Sequence, residues 1–311
     1  MEKIATREAY GKTLVAIGAT NENIVVLDAD LSKSTKTNLF AAEFPDRFFD
    51  MGIAETNMAA AATGLAISGK VPFMSSFAMF ATGRCFEIIR NSICYPNLNV
   101  KIAATHAGIT VGEDGGSHQS IEDIAIMRVL PNMQVFVPAD ATETAQMVKY
   151  MADNPGPMYL RLGRSGQPVL FDDSYEFQAG KSAILKDGKD VAVFACGLMV
   201  SVALEAAEML KAKGIDAAVI NASSLKPFDA ETVIRYAEQC GAIVTAEEHS
   251  IIGGLGSAVA EVLVQNKPCP LVMVGIEDRF GQSGKPADLL REYGLTAENI
   301  VAGAELAIKR K

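Results

Sequence analysis

Two of the three histidines in the chain, His106 and His118, fall within residues 105–122 (THAGITVGEDGGSHQSIE), beside Asp114 and several glycines and hydroxyl side chains. That mixture makes a poor core and a good polar pocket. Glycine lets the backbone turn sharply and approach a ligand, and histidine is the side chain whose unperturbed pKa lies near neutrality. Chemistry on a polyhydroxylated or carbonyl substrate is the expectation, with a solvated glycine-rich loop as the plainer alternative. Upstream, the strand-like RFFDMGI runs into Ala54, Glu55, Thr56 and Asn57 and then into a nearly all-apolar helix. Glu55 would lie in the first helical turn with few polar neighbours. Desolvation is expected to raise its pKa, which suits a carboxyl group sharing a proton with a nitrogen heterocycle. A Glu in that place can also serve only to stabilise the helix N-terminus. In SSFAMF, Phe77 and Phe80 are three apart and would share a face if the segment is helical. Such a pair is either core or a stacking platform for a flat ring.

The elements that must position these residues follow from hydrophobic patterning. Short apolar runs bounded by turn residues recur: NIVVLDAD, VPFMSSF, NVKIAAT, MQVFVPAD and PMYLRLG, then DVAVFACG, DAAVINAS, AIVTAEE and LVMVGI. Each reads as a buried strand. Ala-rich stretches of helical character lie between them, at 55–68, 142–152, 201–213, 230–240 and 256–265. The alternation predicts an α/β protein with mostly parallel sheets covered by helices on both faces. Around 170–190 the pattern breaks into polar, turn-rich sequence before a fresh strand starts at Val191. Two doubly wound domains are therefore expected, at 1–172 and 189–311, with a linker at 173–188.

With 311 residues, 49% of them hydrophobic, the chain can bury a large core, and roughly 150 residues per domain is consistent with two domains. Its 28 Lys and Arg against 37 Asp and Glu leave a net charge of −9 with no basic cluster, which argues against nucleic acid as a partner. No apolar run approaches the roughly 18 residues that span a bilayer, and MEKIATREAY lacks an apolar leader core, so no membrane association and a cytoplasmic location are expected. The five cysteines are scattered without a CxxC pair, which points to reduced, buried thiols and to neither zinc nor a disulfide framework.

Taken in order, ATREAY, DADLSKST, MGIAET, SFAMF and THAGITVGEDGGSHQSIED resemble the transketolase family of thiamine-diphosphate enzymes. The resemblance covers the family's pyrimidine-binding domain, roughly residues 1–172, and extends more weakly over its C-terminal domain. It implies that Glu55 bonds N1′ of the cofactor's aminopyrimidine and so promotes loss of the thiazolium C2 proton. Phe77 and Phe80 match the aromatic cluster around the pyrimidine. A third aromatic of that cluster is replaced by Gly83, leaving the wall open or filled by Phe86. His106 and Asp114 correspond to residues that bind the sugar chain, and His118 to one that contacts the donor near C2. The sugar-phosphate anchors correspond to Arg7, Ser34 and Arg164, with Asp30 near the sugar path and Arg161 as a competitor to Arg164. Arginine suits that task because its planar fork meets phosphate oxygens bidentately.

The resemblance also exposes a gap. The family holds the diphosphate through a divalent cation, Mg²⁺ or Ca²⁺, bound by a GDG motif on a separate N-terminal domain, and no GDG string occurs here. No metal ligand is therefore assigned to this chain. A partner chain is expected to supply that site, as the N-terminal subunit of a split transketolase, and family precedent implies an α2β2 heterotetramer. The implied activity is two-carbon ketol transfer between sugar phosphates, as in the pentose phosphate pathway. A deoxyxylulose-phosphate synthase or a specialised-sugar transketolase is the first alternative; the synthases lack a His at the His106 position. A 2-oxo-acid dehydrogenase β subunit shares the fold and the Glu, but not the paired histidines. A non-catalytic assembly subunit has no need of a buried Glu beside a polar histidine loop. In the second half, TAEEHSIIGGLGSAVAE matches neither common nucleotide-binding glycine pattern, and His249 reads as structural.

Overall fold

The computed structural model describes residues 2–311. The short runs of Val, Ile and Leu form strands buried along their whole length, as sheets covered on both faces require. Seven strands make one sheet, ordered Ser224–Lys226, Gln134–Phe136, Met158–Arg161, Lys101–Ala104, Val71–Ser75, Ile24–Asp28 and Phe48–Asp50. All neighbours are parallel except the Ser224–Lys226 edge. A second sheet is ordered Leu271–Ile276, Ile243–Ser250, Val191–Ala195, Ala217–Asn221 and Ala183–Lys186, with only the last antiparallel. Lys3–Ala5 pairs with Gly166–Pro168 in a small separate ribbon.

Two details depart from the sequence reading. The stretch 173–188, expected to be a connector, contains the edge strand Ala183–Lys186. Ser224–Lys226, from the second half of the chain, crosses over to complete the first sheet. One cluster of buried side chains accordingly runs from Leu27 and Met74 through Leu225 to Phe194, Val233 and Leu255, joining the halves by apolar contact.

Register decides where function can sit. Asp50, Asp28 and Ser75 lie level across neighbouring strands, as do Ala104 and Arg161. Each strand therefore hands its chain to the same edge, where the loops carrying Asp30, Glu55, Phe77, His106 and Arg164 begin. Strand order also reverses around Ile24–Asp28, and in open α/β sheets the crevice beyond the carboxyl ends at such a reversal is the usual place for a ligand.

Among the described residues, no helix is long and apolar enough to cross a membrane. Cys85, Cys94, Cys196 and Cys240 are buried free thiols and Cys269 is half-buried.

Candidate active site

Glu55 opens the helix Glu55–Ile67, which follows the edge strand Phe48–Asp50. The connecting turn is held by Asp50, whose Oδ1 accepts the backbone N–H groups of Gly52 and Asp30, and Gly52 takes a positive φ of 64°. Glu55 is only 4% exposed. It is not short of polar company, however: Arg84 Nη1 donates to its Oε1 at 2.8 Å. The sequence gives no local hint of that partner, because it lies 29 positions away. The Arg84 side chain is half-exposed, and its guanidinium sits 4.3 Å over the Phe80 ring, a cation–π contact.

Phe77 follows the strand Val71–Ser75 and is bridged to Thr105, whereas Phe80 lies in the π-helical turn Met79–Arg84. The two are not on one regular helix, yet their rings stack 6.0 Å apart at 15°. The π-helix widens the turn, a distortion that recurs at functional sites. Phe86 packs against the hydrophobic core. A Cβ added at Gly83 would meet only the flexible end of Met79.

His106 stacks on Phe77 with centroids 3.9 Å apart, and His118 meets Phe80 edge-on at 5.2 Å. His106 holds a left-handed φ of 57°, uncommon for a residue with a side chain. Its Nδ1 pairs with Thr105 Oγ1 at 2.9 Å, and burial, reinforced by the positive charges of Arg7 and Arg164, pushes its pKa down to about 3. It is therefore a neutral hydrogen-bonding group near pH 7. His118 is less buried and pairs through Nδ1 with Ser117 Oγ.

The arginines that act on His106 form the cationic end of the site. Arg7 Nη1 donates to the Ser34 carbonyl at 2.8 Å, while its Nε is buried without a protein partner. Burial, with Arg164 adding to it, lowers the Arg7 pKa. Arg164 is partly exposed and bonds the Val111 carbonyl and Glu113. Arg161 plays no such part. It is buried, with Nε donating to Asp123 Oδ2 at 2.7 Å and Nη2 to Asp123 Oδ1 at 3.1 Å and to the carbonyls of Ser120 and Glu248. Asp30 is exposed at a positive φ and tied through its N–H to Asp50, and Asp114 is exposed; neither bonds to the aromatic and histidine cluster.

The second half of the chain supplies contacts that local sequence patterns did not reveal. Glu248 Oε1 accepts the Thr110 N–H at 2.6 Å, and Gln119 Nε2 donates to the Gln282 carbonyl at 2.9 Å. His249 is fully buried, donates Nδ1–H to the Ser250 carbonyl and accepts the Ala125 N–H, as a structural residue should. An open cleft of ≈ 490 Å³, lined by Met79, Gly116, Ser117, Gln119, Glu122 and Phe280, borders the His118 loop. Among the described residues, no group of three or more His, Cys, Asp or Glu is arranged to hold a metal ion.

Comparison with known proteins places the chain in a family. Residues 2–168 match the family model for the transketolase pyrimidine-binding domain, and residues 180–300 that for the transketolase C-terminal domain. A putative transketolase C-terminal section of Methanocaldococcus jannaschii is 52% identical over 297 residues, covering 94% of this chain and 93% of the relative. A 6-deoxy-6-sulfo-D-fructose transketolase subunit of Clostridium sp. strain MSTE9 is 42% identical, covering 100% and 97%. A solved split-gene transketolase, described as an inactive β4 tetramer, superimposes with a TM-score of 0.93 at 60% identity and covers 99% of each chain. The chain belongs to the transketolase family and carries its pyrimidine-binding and C-terminal domains.

Proposed function

We propose that this chain is the catalytic C-terminal subunit of a two-chain transketolase, moving a two-carbon ketol unit from a ketose phosphate to an aldose phosphate. The observation that carries the reading is the convergence of Glu55, the Phe77–Phe80 stack, His106 and His118 beyond the carboxyl ends of one parallel sheet. The family implies thiamine diphosphate and a divalent metal. The residues present fit the aminopyrimidine half of that cofactor: a nearly buried carboxylate is joined through Arg84 to the face of Phe80, which stacks in turn with Phe77. When bound, the cofactor supplies a nucleophilic carbon that accepts and releases the ketol unit.

This chain's own residues bind, orient and move protons. Glu55, held through Oε1 by Arg84, would hold the aminopyrimidine by a hydrogen bond and can take or return a proton through its carboxyl group. Phe77 and Phe80 would hold the flat ring by stacking. Neutral His106 binds sugar hydroxyls, and His118, edge-on to Phe80, accepts or returns the proton of the reacting hydroxyl. Arg7, Ser34 and Arg164 take the distal anion, for which the unpartnered Arg7 Nε is a ready donor; Asp30 and Asp114 line the approach. The diphosphate and its Mg²⁺ belong to an N-terminal partner chain in an α2β2 assembly. Support for that division comes from relatives of matching length described as a section or subunit of a transketolase.

The Clostridium relative favours one variation, in which the distal anion is a sulfonate. Two arginines would grip that tetrahedral oxyanion as they grip a phosphate. The test is to co-express the chain with its partner and assay ketol transfer with thiamine diphosphate and Mg²⁺, offering xylulose 5-phosphate or 6-deoxy-6-sulfofructose with ribose 5-phosphate as acceptor. Transfer only in the presence of the partner is the expected result. A stable complex inert towards both donors, or full activity of this chain alone, would overturn the reading.

A further inference from the structure

The loop 105–122 is shaped from the second half of the chain as well as from its own. Besides the Glu248–Thr110 and Gln119–Gln282 bonds, Ser283 Oγ donates to the Glu113 carbonyl at 2.8 Å. Glu248 reaches deepest. It lies on the strand Ile243–Ser250, is 5% exposed, and presses against the backbone two residues beyond His106. A Cβ at Gly108 would fall 2.3 Å from the Glu248 carboxyl carbon, so only glycine leaves room for it. Gly108 takes a φ of 80° and donates its N–H to the Ser120 carbonyl, closing the loop on itself. Glu248 is immobile at its other end too, because its carbonyl accepts from Arg161, which Asp123 grips by two bonds.

A left-handed backbone at a residue with a side chain persists only where its surroundings over-determine it. At His106 those surroundings are the Phe77 ring stacked on the imidazole, Thr105 Oγ1 on its Nδ1, and the loop backbone that continues from it through Gly108. We propose that Glu248 is a positioning residue: through the Thr110 amide and the Gly108 backbone it fixes the loop that presents His106 to substrate, giving the C-terminal domain a direct part in donor binding. This rests on the assignment of His106 to the donor site.

The test uses the complex of this chain with its partner. Glu248→Met keeps the length of the side chain and removes the carboxylate with its acceptor oxygens and charge; Glu248→Gln restores an acceptor oxygen without the charge. Glu248→Met is expected to speed amide hydrogen exchange in 105–122 about tenfold, with exchange in Val191–Ala195 unchanged. The KM for the ketose donor should rise at least about tenfold while thiamine diphosphate affinity holds, and Glu248→Gln should restore both towards wild type. Unchanged exchange in a folded Glu248→Met complex would overturn the proposal. Faster exchange with an unchanged KM would overturn the functional assignment of the loop and leave the structural hold standing. Should Glu248→Met fail to fold, the wild-type protein still decides the matter: the Thr110 amide must be among the slowest to exchange in its loop, and rapid exchange there refutes the hold.

Discussion

Replacing Asp123 by Leu should be among the most damaging single changes in this chain away from the proposed catalytic groups. Asp123 is fully buried and accepts from Arg161 Nε, Arg161 Nη2 and Tyr159 Oη, the last at 2.6 Å. Desolvation works against its charge, but Arg161 outweighs it and holds the carboxyl below the usual carboxylate range. Truncation would leave a guanidinium buried without its counter-ion and a phenol without its acceptor. Breaking a buried pair from one side costs about 3–5 kcal/mol, and orphaning the tyrosine adds about 1 kcal/mol or more. A loss of at least ~3 kcal/mol is therefore expected, read as a shift in the urea unfolding curve. The double variant Asp123→Leu/Arg161→Met should recover much of it, because a buried pair replaced by apolar groups of similar volume is often near neutral. An exposed pair such as Arg291–Asp288 should yield no more than ~0.5 kcal/mol on truncation. A single-variant cost below ~1 kcal/mol, or strict additivity in the double variant, would refute the reasoning.

Other outcomes follow from the site. The pKa of His106 lies near 3 in the folded chain against an ordinary 6.5, so below about pH 6.5 the unfolded chain takes up a proton that the folded chain refuses. The stability that His106 contributes is present above that pH and drains on acidification by up to ~1.4 kcal/mol per pH unit. His106→Gln should flatten the acid limb of stability, and the wild-type His106 ring resonance should not titrate between pH 5 and 8; a midpoint near 6.5 would contradict this. Arg84 occupies both Glu55 Oε1 and the face of Phe80. Arg84→Ala should tighten thiamine diphosphate binding measured by calorimetry on the assembled complex, whereas a tenfold weakening would make Arg84 part of the cofactor site. Gly83→Ala meets only the mobile end of Met79, so stability should hold or rise by up to ~1 kcal/mol, and a loss of more than that would show the wall to be filled.

Much of the fold could be read from the chain because fully buried parallel strands are written as unbroken apolar runs. VVL in Ile24–Asp28 and VAVFA in Val191–Ala195 have few other readings. The helix Thr6–Thr20 was harder, since TREAYGKTLVAIGAT has no capping side chain and contains two glycines. Phe77 and His106 could be read because each lies just beyond a strand within a short motif, and His118 because it falls in the same glycine-rich motif as His106. What escaped was non-local: Arg84 finds Glu55 across 29 positions, Arg161 finds Asp123 across 38, and Arg161 finds the Glu248 carbonyl across 87. Charges at such distances carry no periodicity, and only the folded topology brings them together. The strand Ser224–Lys226 is another case, three residues whose place in the first sheet depends on a partner far away in sequence.

The central claim is that Glu55 activates the cofactor. Its most direct test is the rate of deuterium exchange at the thiazolium C2 of thiamine diphosphate bound to the assembled complex, followed by acid quench and proton NMR. Glu55→Gln should slow that exchange at least about a hundredfold, with partner and cofactor still bound. Exchange at the wild-type rate in the Glu55→Gln complex would contradict the account.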